Sequence, residues 1–261
     1  MHLLLDAGRP VRALVRNRGA ATLPESVDLA LGDLNQPSSL ADALKDVQGV
    51  FLLGGHRDMP GLVGEIRRAR VQRLLLLSSR SVVGGHPDNA IVEMWNVAED
   101  AVRGSGLDWT ILRASGFMSN ALQWVAQLRA GNLVRAPFAN ARVAAIDPLD
   151  IAAVAMVSLT SDGHTSRHYA LSGPTPMVPA EMVAVLGSVL GRDLRFEAQS
   201  DAEVSEEMTR TGNPRFADAF FRFFAKGEFD DSPVLPTVQE MIGRSPRTFE
   251  QWARAHVHAF R

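Results

Sequence analysis

The stretch "RLLLLSS", Arg73–Ser79, constrains the fold of this 261-residue chain more than any other. It holds four consecutive leucines and no polar alternation. A strand with one face in water alternates apolar and polar residues, whereas a strand buried on both faces does not. The stretch therefore predicts a strand inside a sheet covered by helices on both sides. Its neighbours repeat the theme. Val11–Val15, Val27–Leu31 and Val50–Leu53 read as further strands, the last stopped by Gly54 and Gly55. Ser38 or Ser39 is placed to cap a helix running to Val47. Pro60–Arg70 and Ile91–Arg103 read as helices, the second ended by Gly104 and Gly106. "DWTILRASGF" is the next strand and its exit loop. This alternation predicts an α/β fold with a parallel sheet.

Beyond about residue 120 the rhythm loosens. "ARVAAIDPLDIAAVAMVSL" reads as a short strand, a turn and a helix capped by Asp150. "RHYALSG" and "DLRFEAQ" are strands, Pro179–Leu190 is a helix with Gly191 just past its end, and Phe216–Phe224 carries aromatics at helical spacing. Thr248 and Gln251 form a capping-box pattern before a final amphipathic helix.

An apolar content of 46% is enough for a large core. A net charge of −2, with no run of like charges, argues against a nucleic-acid binder held by phosphate contacts. The chain has no cysteine, which excludes disulfides, thiolate metal sites and cysteine nucleophiles and suits a cytoplasmic protein. The apolar runs are too short to span a membrane, and "MHLLLDAG" lacks the basic start of a signal peptide.

In a doubly wound sheet the first strand leads into a glycine-rich turn whose backbone N–H groups meet a pyrophosphate at a helix N-terminus. A basic residue after the second strand suits the 2′-phosphate of NADP. "VRALVRNR" ends in Arg16 and Arg18 with no acid, which reads either as that phosphate contact or as a solvated strand exit. Only "MHLLLDA" and a turn precede it, so the sheet is expected to lack its first strand and glycine-rich loop. A rival placement on "VFLLGGHRDMPGLVGEIRRARVQRLLLLSSR" fails, because Gly55 to Gly61 has the wrong spacing and Pro60 interrupts it.

Together "LLDAGRPVRALVRN", "ALKDVQGVFLL", "VQRLLLLSS", "SGLDWTILRASGFMSN" and "DPLDIAAVA" resemble the NmrA-like family of atypical short-chain dehydrogenases/reductases. The resemblance runs along most of residues 3–160. It implies an α/β architecture with a Rossmann-like doubly wound domain over 1–135, with strand contributions from 141–172, and a small α+β lobe over 173–261. The implied cofactor is NADP(H) or NAD(H). It also implies reduction of quinones or other carbonyls and double bonds, or redox sensing. It implies Arg16 at the adenosine 2′-phosphate, Asp33 and Leu34 flanking the adenine, and Leu53 and Gly54 beside the ribose and pyrophosphate. Ser78 and Ser79 then lie near the nicotinamide, and Arg113, Ser115 and Phe117 in the loop that closes over it. Ala114 stands where that loop usually has proline.

The Tyr-x-x-x-Lys pair of ordinary short-chain dehydrogenases is absent, since the single tyrosine, Tyr169, is followed four residues later by Gly173. The helix that should carry the pair offers Glu93, Asn96 and Glu99. Other acid–base candidates are His56 and Asp58 in "GGHRD" and His86 and Asp88 in "GGHPD". Histidine titrates near neutral pH, but glycine, proline and aspartate are also ordinary turn residues. No metal site is expected, because no third ligand stands at a recognisable spacing. The Phe216–Phe224 run serves either lobe packing or an apolar substrate wall.

Three functions compete: an NADP-dependent reductase acting on a small apolar, quinone or carbonyl substrate; a truncated pseudoenzyme or cofactor-independent isomerase or lyase; and an NADP-sensing regulator. No nucleic-acid or membrane partner is expected. A homo-oligomer is one way to cover strand edges left by an absent first strand.

Overall fold

The structure, a computed structural model, describes residues 1–17, 19 and 23–261. The chain divides into two compact units. The first comprises Met1–Ser78, Met94–Leu112 and Ala152–Tyr169, and the second Ser79–Glu93, Arg113–Ile151 and Ala170–Arg261. In chain order the elements begin with α1 (His2–Asp6), β1 (Arg12–Val15), β2 (Asp28–Leu31), β3 (Gly49–Leu53), α2 (Met59–Arg68) and β4 (Arg73–Ser79). They continue with α3 (Ser81–Gly84), α4 (Ala90–Arg103), β5 (Asp108–Ala114), α5 (Val125–Ala130), β6 (Leu133–Ala136), α6 (Pro148–Thr160) and β7 (Arg167–Leu171). The last are α7 (Pro179–Leu190), β8 (Arg195–Ala198), α8 (Asp201–Thr211), α9 (Pro214–Phe224), α10 (Thr237–Ile242) and α11 (Phe249–Ala255).

The leucine run forms β4 as expected, with Leu74–Ser78 all buried. Leu74 and Leu76 share the core of the first unit with Leu52 of β3, Met59, Leu62, Val63 and Ile66 of α2, and Ala98 and Val102 of α4. Leu75 and Leu77 are buried on the opposite face. Each buried leucine contributes about 1.5–3 kcal/mol over an exposed one, so the run alone anchors the sheet. Asp58 starts α2 by accepting the Gly61 N–H at 2.8 Å. Pro60 falls in the first turn, where its missing N–H is not needed. Arg67 and Arg68 end the helix, where its dipole favours cations.

β3 pairs with β4 in parallel register, Gly49 with Arg73 through Leu53 with Leu77. The four-stranded sheet has the order β3-β4-β5-β7. β1 and β2 pair in parallel as a separate two-stranded sheet. Among the described strands, β3 is therefore an edge. Its Phe51 and Leu53 are 42% and 49% exposed, unlike the central β4. The break between the two sheets lies between β1 and β3.

One expected helix is missing. Residues 38–47 form a short 3₁₀ turn, Pro37–Leu40, followed by irregular turns. Ser39 Oγ accepts the Asp33 N–H at 2.9 Å and donates to the Gln36 carbonyl at 2.7 Å. Such local side-chain bonds offer the backbone an alternative to the helix.

The second unit packs around Met118, Trp124, Leu128, Val134, Leu186, Phe249, Trp252 and Phe260. Its β6 and β8 pair in parallel. α7 ends at Gly191 in the left-handed conformation, φ 63°. The capping box forms as read: Thr248 Oγ1 accepts from Gln251 N at 3.2 Å, and Gln251 Oε1 from Thr248 N at 2.9 Å. The cap before α6 differs from expectation. Asp147, not Asp150, takes that role, accepting the Leu149 N–H at 2.8 Å. Asp150 lies inside the first turn, fully buried, and accepts from Arg247 N at 2.7 Å, with Arg244 at 2.7 Å.

Candidate functional site

In open parallel sheets, ligands bind beyond the carboxyl ends of the strands. In the first unit that end of β1 carries Arg16. β1 and the residue just after it offer two arginines of different standing. Arg12 is committed to Asp28 at 2.6 Å and to the Ala43 and Lys45 carbonyls at 3.1 and 2.7 Å. Arg16 is exposed, and no carboxylate pairs with it among the described residues. An exposed guanidinium with no internal partner can meet an anionic group without first breaking an ion pair. Arg18, the second arginine of the sequence reading, lies outside the described residues.

After β2, Asp33 turns the chain, its Oδ1 accepting the Asn35 N–H at 2.8 Å. Leu34 leans on the core of the first unit. Leu53 is exposed at the end of β3, and the Gly54 N–H donates to the Leu77 carbonyl at 3.2 Å. A side chain at Gly54 would overlap the Trp95 ring, and Gly55 has φ 85°, so both glycines answer local demands of this turn. Next to them His56 holds a buried ring nitrogen, Nε2, with no hydrogen-bond partner among the described residues. Asp58 is the α2 cap already described and is not bonded to His56 by any described contact.

Ser78 ends the part of β4 in the first unit. Its Oγ donates to Glu99 Oε1 on α4 at 2.7 Å, and Glu99, wholly buried, is also paired with Arg103. Tyr169 donates to or accepts from His164 Nδ1 at 2.8 Å, with the two rings edge to face. Its hydroxyl is thus engaged beside the loop after α6.

In the second unit, Ser79 Oγ lies 3.0 Å from Ser81 Oγ and accepts the Ser81 N–H at 3.2 Å, fixing the start of α3. His86 Nδ1 and Asp88 Oδ1 are 2.7 Å apart. The same Asp88 oxygen accepts from Arg222 of α9 at 2.6 Å, and Arg222 also holds Glu228 at 2.5 Å. Glu228 accepts from Asn89 at 3.0 Å. Arg222 and His86 keep the Asp88 carboxyl below the usual aspartate range. His86 and Asp88 therefore belong to a network joining their loop to α9.

The loop after β5 is held from several directions. Ser115 is buried, and its N–H donates to the Leu171 carbonyl at 2.9 Å. Phe117 bridges Ile146, and Arg113 is half-buried at the end of β5. Asp231, which nothing in the sequence reading singled out, accepts from Ser115 Oγ at 3.0 Å and Gly116 N at 2.8 Å. Arg80, equally overlooked, reaches Asp231 at 3.1 Å. Sequence offered only "DDSP", a turn signal, because the partners lie 115 and 116 residues apart along the chain.

The aromatic run of α9 packs with Phe138 and Phe229. Phe138 lies 5.4 Å from Phe224 and 6.4 Å from Phe221, and Phe223 lies 5.5 Å from Phe229. Phe223 is buried, while Phe220 remains 40% exposed beside Phe224. The run thus serves packing on one face and leaves an apolar aromatic surface on the other.

Parallel strands alternating with helices, with an exposed guanidinium at one carboxyl end, are the arrangement of a Rossmann-like α/β protein. The comparisons agree. A family model described as NAD(P)H-binding matches residues 1–162. The chain is 36% identical to (4-alkanoyl-5-oxo-2,5-dihydrofuran-3-yl)methyl phosphate reductase of Streptomyces griseus, covering 98% of this chain and 93% of that protein. It is 32% identical to NAD(P)H azoreductase of Xenophilus azovorans, over 100% of this chain and 94% of that one. Among solved structures, the NADPH-dependent quinone oxidoreductase QOR2 of Escherichia coli has a TM-score of 0.76 at 19% identity, covering 98% of this chain and 94% of that one. Triphenylmethane reductase of Citrobacter sp. has 0.74 at 22%, covering 94% and 89%. The chain belongs to the NAD(P)H-binding family, as an NmrA-like, atypical short-chain dehydrogenase/reductase.

Proposed function

We propose that the protein is an NADP(H)-dependent reductase acting on a small apolar substrate of the quinone or carbonyl class. Its family membership supports the oxidoreductase reading, and the observation that carries the cofactor choice is the uncommitted Arg16 at the end of β1. In this reading 1–135, with strands from 141–172, serves the cofactor, and 173–261 serves the substrate, in a cytoplasmic protein. When bound, the cofactor supplies a hydride. Arg16 holds the 2′-phosphate, Asp33 and Leu34 border the adenine, and Leu53 and Gly54 border the ribose and pyrophosphate. Ser78, Ser79, Arg113, Ser115 and Phe117 shape the nicotinamide end. The exposed rim of the α9 phenylalanines supports a planar, apolar substrate, since aromatic rings stack on one another in offset or edge-on geometry.

The chain's own groups limit its acid–base chemistry. Tyr169 is engaged by His164, Asp58 by a helix N-terminus and Asp88 by Arg222. This shortage leaves His56, whose Nε2 has no hydrogen-bond partner among the described residues, or water to supply the proton after hydride transfer. It also supports a second reading, an NADP-sensing protein without turnover. NADPH binding together with NADPH oxidation across a panel of quinones and enones supports the reductase; binding without oxidation favours the sensor. Arg16→Ala should weaken NADPH by about tenfold to a hundredfold, the range for a lost charge-assisted contact, and leave NADH unchanged. Equal losses for both cofactors would refute the role of Arg16.

A further inference from the structure

The second unit contains a buried carboxylate that the reaction reading leaves unused. Asp231 is 6% exposed and lies in the Glu228–Pro236 segment, which has no regular structure beyond its turns. Both of its oxygens are occupied. Oδ2 accepts the Gly116 N–H at 2.8 Å, and Oδ1 accepts from Ser115 Oγ at 3.0 Å. Arg80 Nη1 lies 3.1 Å from the same Oδ1 and donates to Ser115 Oγ at 2.9 Å and to the Pro233 carbonyl at 3.1 Å. The backbone closes the arrangement, because the Asp231 carbonyl accepts the Ala144 N–H at 2.8 Å and the Gly116 carbonyl accepts the Ile146 N–H at 2.9 Å.

The side-chain contacts converge on Ser115 and Gly116, the first two residues after β5. A buried aspartate is expensive to keep unless its oxygens are paired, and here every partner is a group of the β5 exit loop or the β4 exit. A single carboxylate from the C-terminal region thus sets where Ser115 Oγ and the Gly116 backbone stand. We propose that Asp231 is a positioning residue for the nicotinamide-facing loop Ser115–Phe117, acting through Ser115, Gly116 and Arg80. The proposal rests on the reading that this loop meets the cofactor. It deepens that reading by making cofactor affinity depend on a residue outside the nucleotide-binding segment.

The ionisation of Asp231 supplies an independent handle. Burial raises its carboxyl above the usual aspartate range, opposed by the Gly116 N–H, Arg80 and Ser115. The charged groups it faces are Arg80, from the β4–α3 junction, and Asp230, from its own segment; the β5 loop contributes only neutral donors. As pH falls through the raised value, the carboxyl gains a proton and its pairing with Arg80 is lost.

The test is NADPH affinity of the full chain by fluorescence titration, between pH 4.5 and 8, for the wild type, Asp231→Asn and Arg80→Lys, with thermal unfolding of each without cofactor. An asparagine must turn an NH₂ group either toward the Gly116 N–H or toward Arg80, so one bond is lost in either orientation. Asp231→Asn should raise the NADPH Kd by about tenfold at pH 8, the scale of a lost hydrogen bond to a charged group. The 2′-phosphate of NADPH itself titrates at about pH 6 and affects both proteins alike. The readout is therefore the ratio of the variant's Kd to the wild type's, which should shrink toward one as pH falls through the raised Asp231 value. Arg80→Lys, which keeps the charge but not the three-way fork, should fall between them. Asp150→Asn is the control for plain destabilisation, with an expected lower Tm and unchanged Kd. A folded Asp231→Asn protein with wild-type affinity and pH profile overturns the proposal. So does Asp231→Asn failing to fold while Arg80→Lys keeps wild-type affinity. A wild-type chain that does not bind NADPH at all overturns the functional reading, and the proposal with it.

Discussion

The pair Ser78–Glu99 offers the sharpest test of how the first unit is held together. Glu99 is wholly buried on α4, and its partners include the Ser78 hydroxyl at 2.7 Å and the Arg103 guanidinium. Removing the hydroxyl in Ser78→Ala leaves Glu99 still paired with Arg103, so the loss is that of one hydrogen bond to a charged acceptor, about 1.5–2 kcal/mol. Glu99→Ala does more. It strands the Ser78 hydroxyl in the core, an unmet donor costing about 1–3 kcal/mol, and opens a small void. Arg103, with 36% of its side chain exposed, regains water and limits the damage. The expected total is about 3 kcal/mol. Because both variants delete the same bond, the double variant should cost less than the sum of the singles by about 1 kcal/mol or more. Urea unfolding followed by tryptophan fluorescence measures all four proteins, since Trp95 sits on the same helix as Glu99. If Ser78→Ala stays within about 0.5 kcal/mol of the wild type, or the cycle is additive, the bond does not stabilise the unit and the reasoning fails.

Two further outcomes follow from the second unit. Gly173→Ala would drive its new methyl into the Ala145 carbonyl oxygen, a backbone atom that cannot step aside, so soluble yield and Tm should both drop sharply, and a wild-type Tm would refute the overlap. Glu203 is held at about 2, first by its bonds to Arg135 and then by the Ser200 backbone and hydroxyl. A carboxylate lowered in the folded state stabilises above its ordinary value, and that contribution is lost as pH falls toward the folded one. The Ser200–Glu203 cap of α8 should therefore loosen between the ordinary glutamate range and about pH 2, and in Arg135→Ala it should loosen at higher pH, as read by amide exchange across α8.

Sequence periodicity determined the layering of this protein. Four leucines without alternation do not suit a strand with one face in water, and β4 is a strand buried on both faces. Capping chemistry was equally local, so Thr248–Gln251 and Gly191 ended up where the sequence placed them. Where local bonds competed, sequence reading went astray: Ser39 bound its own turn and broke the expected helix, and Asp147 displaced Asp150 as cap. The commitments of the candidate site were decided only by tertiary structure. Nothing in "GGHPD" tells that Asp88 is taken by Arg222, and nothing in "LLSS" tells that Ser78 is taken by Glu99. Asp231 is the extreme case, an aspartate in an ordinary turn whose role exists because folding brings the β5 loop to it across more than a hundred residues. Periodicity and caps are encoded within one or two turns of chain. The partner of a buried charge is encoded only by which distant segments pack together, and that is a property of the whole fold.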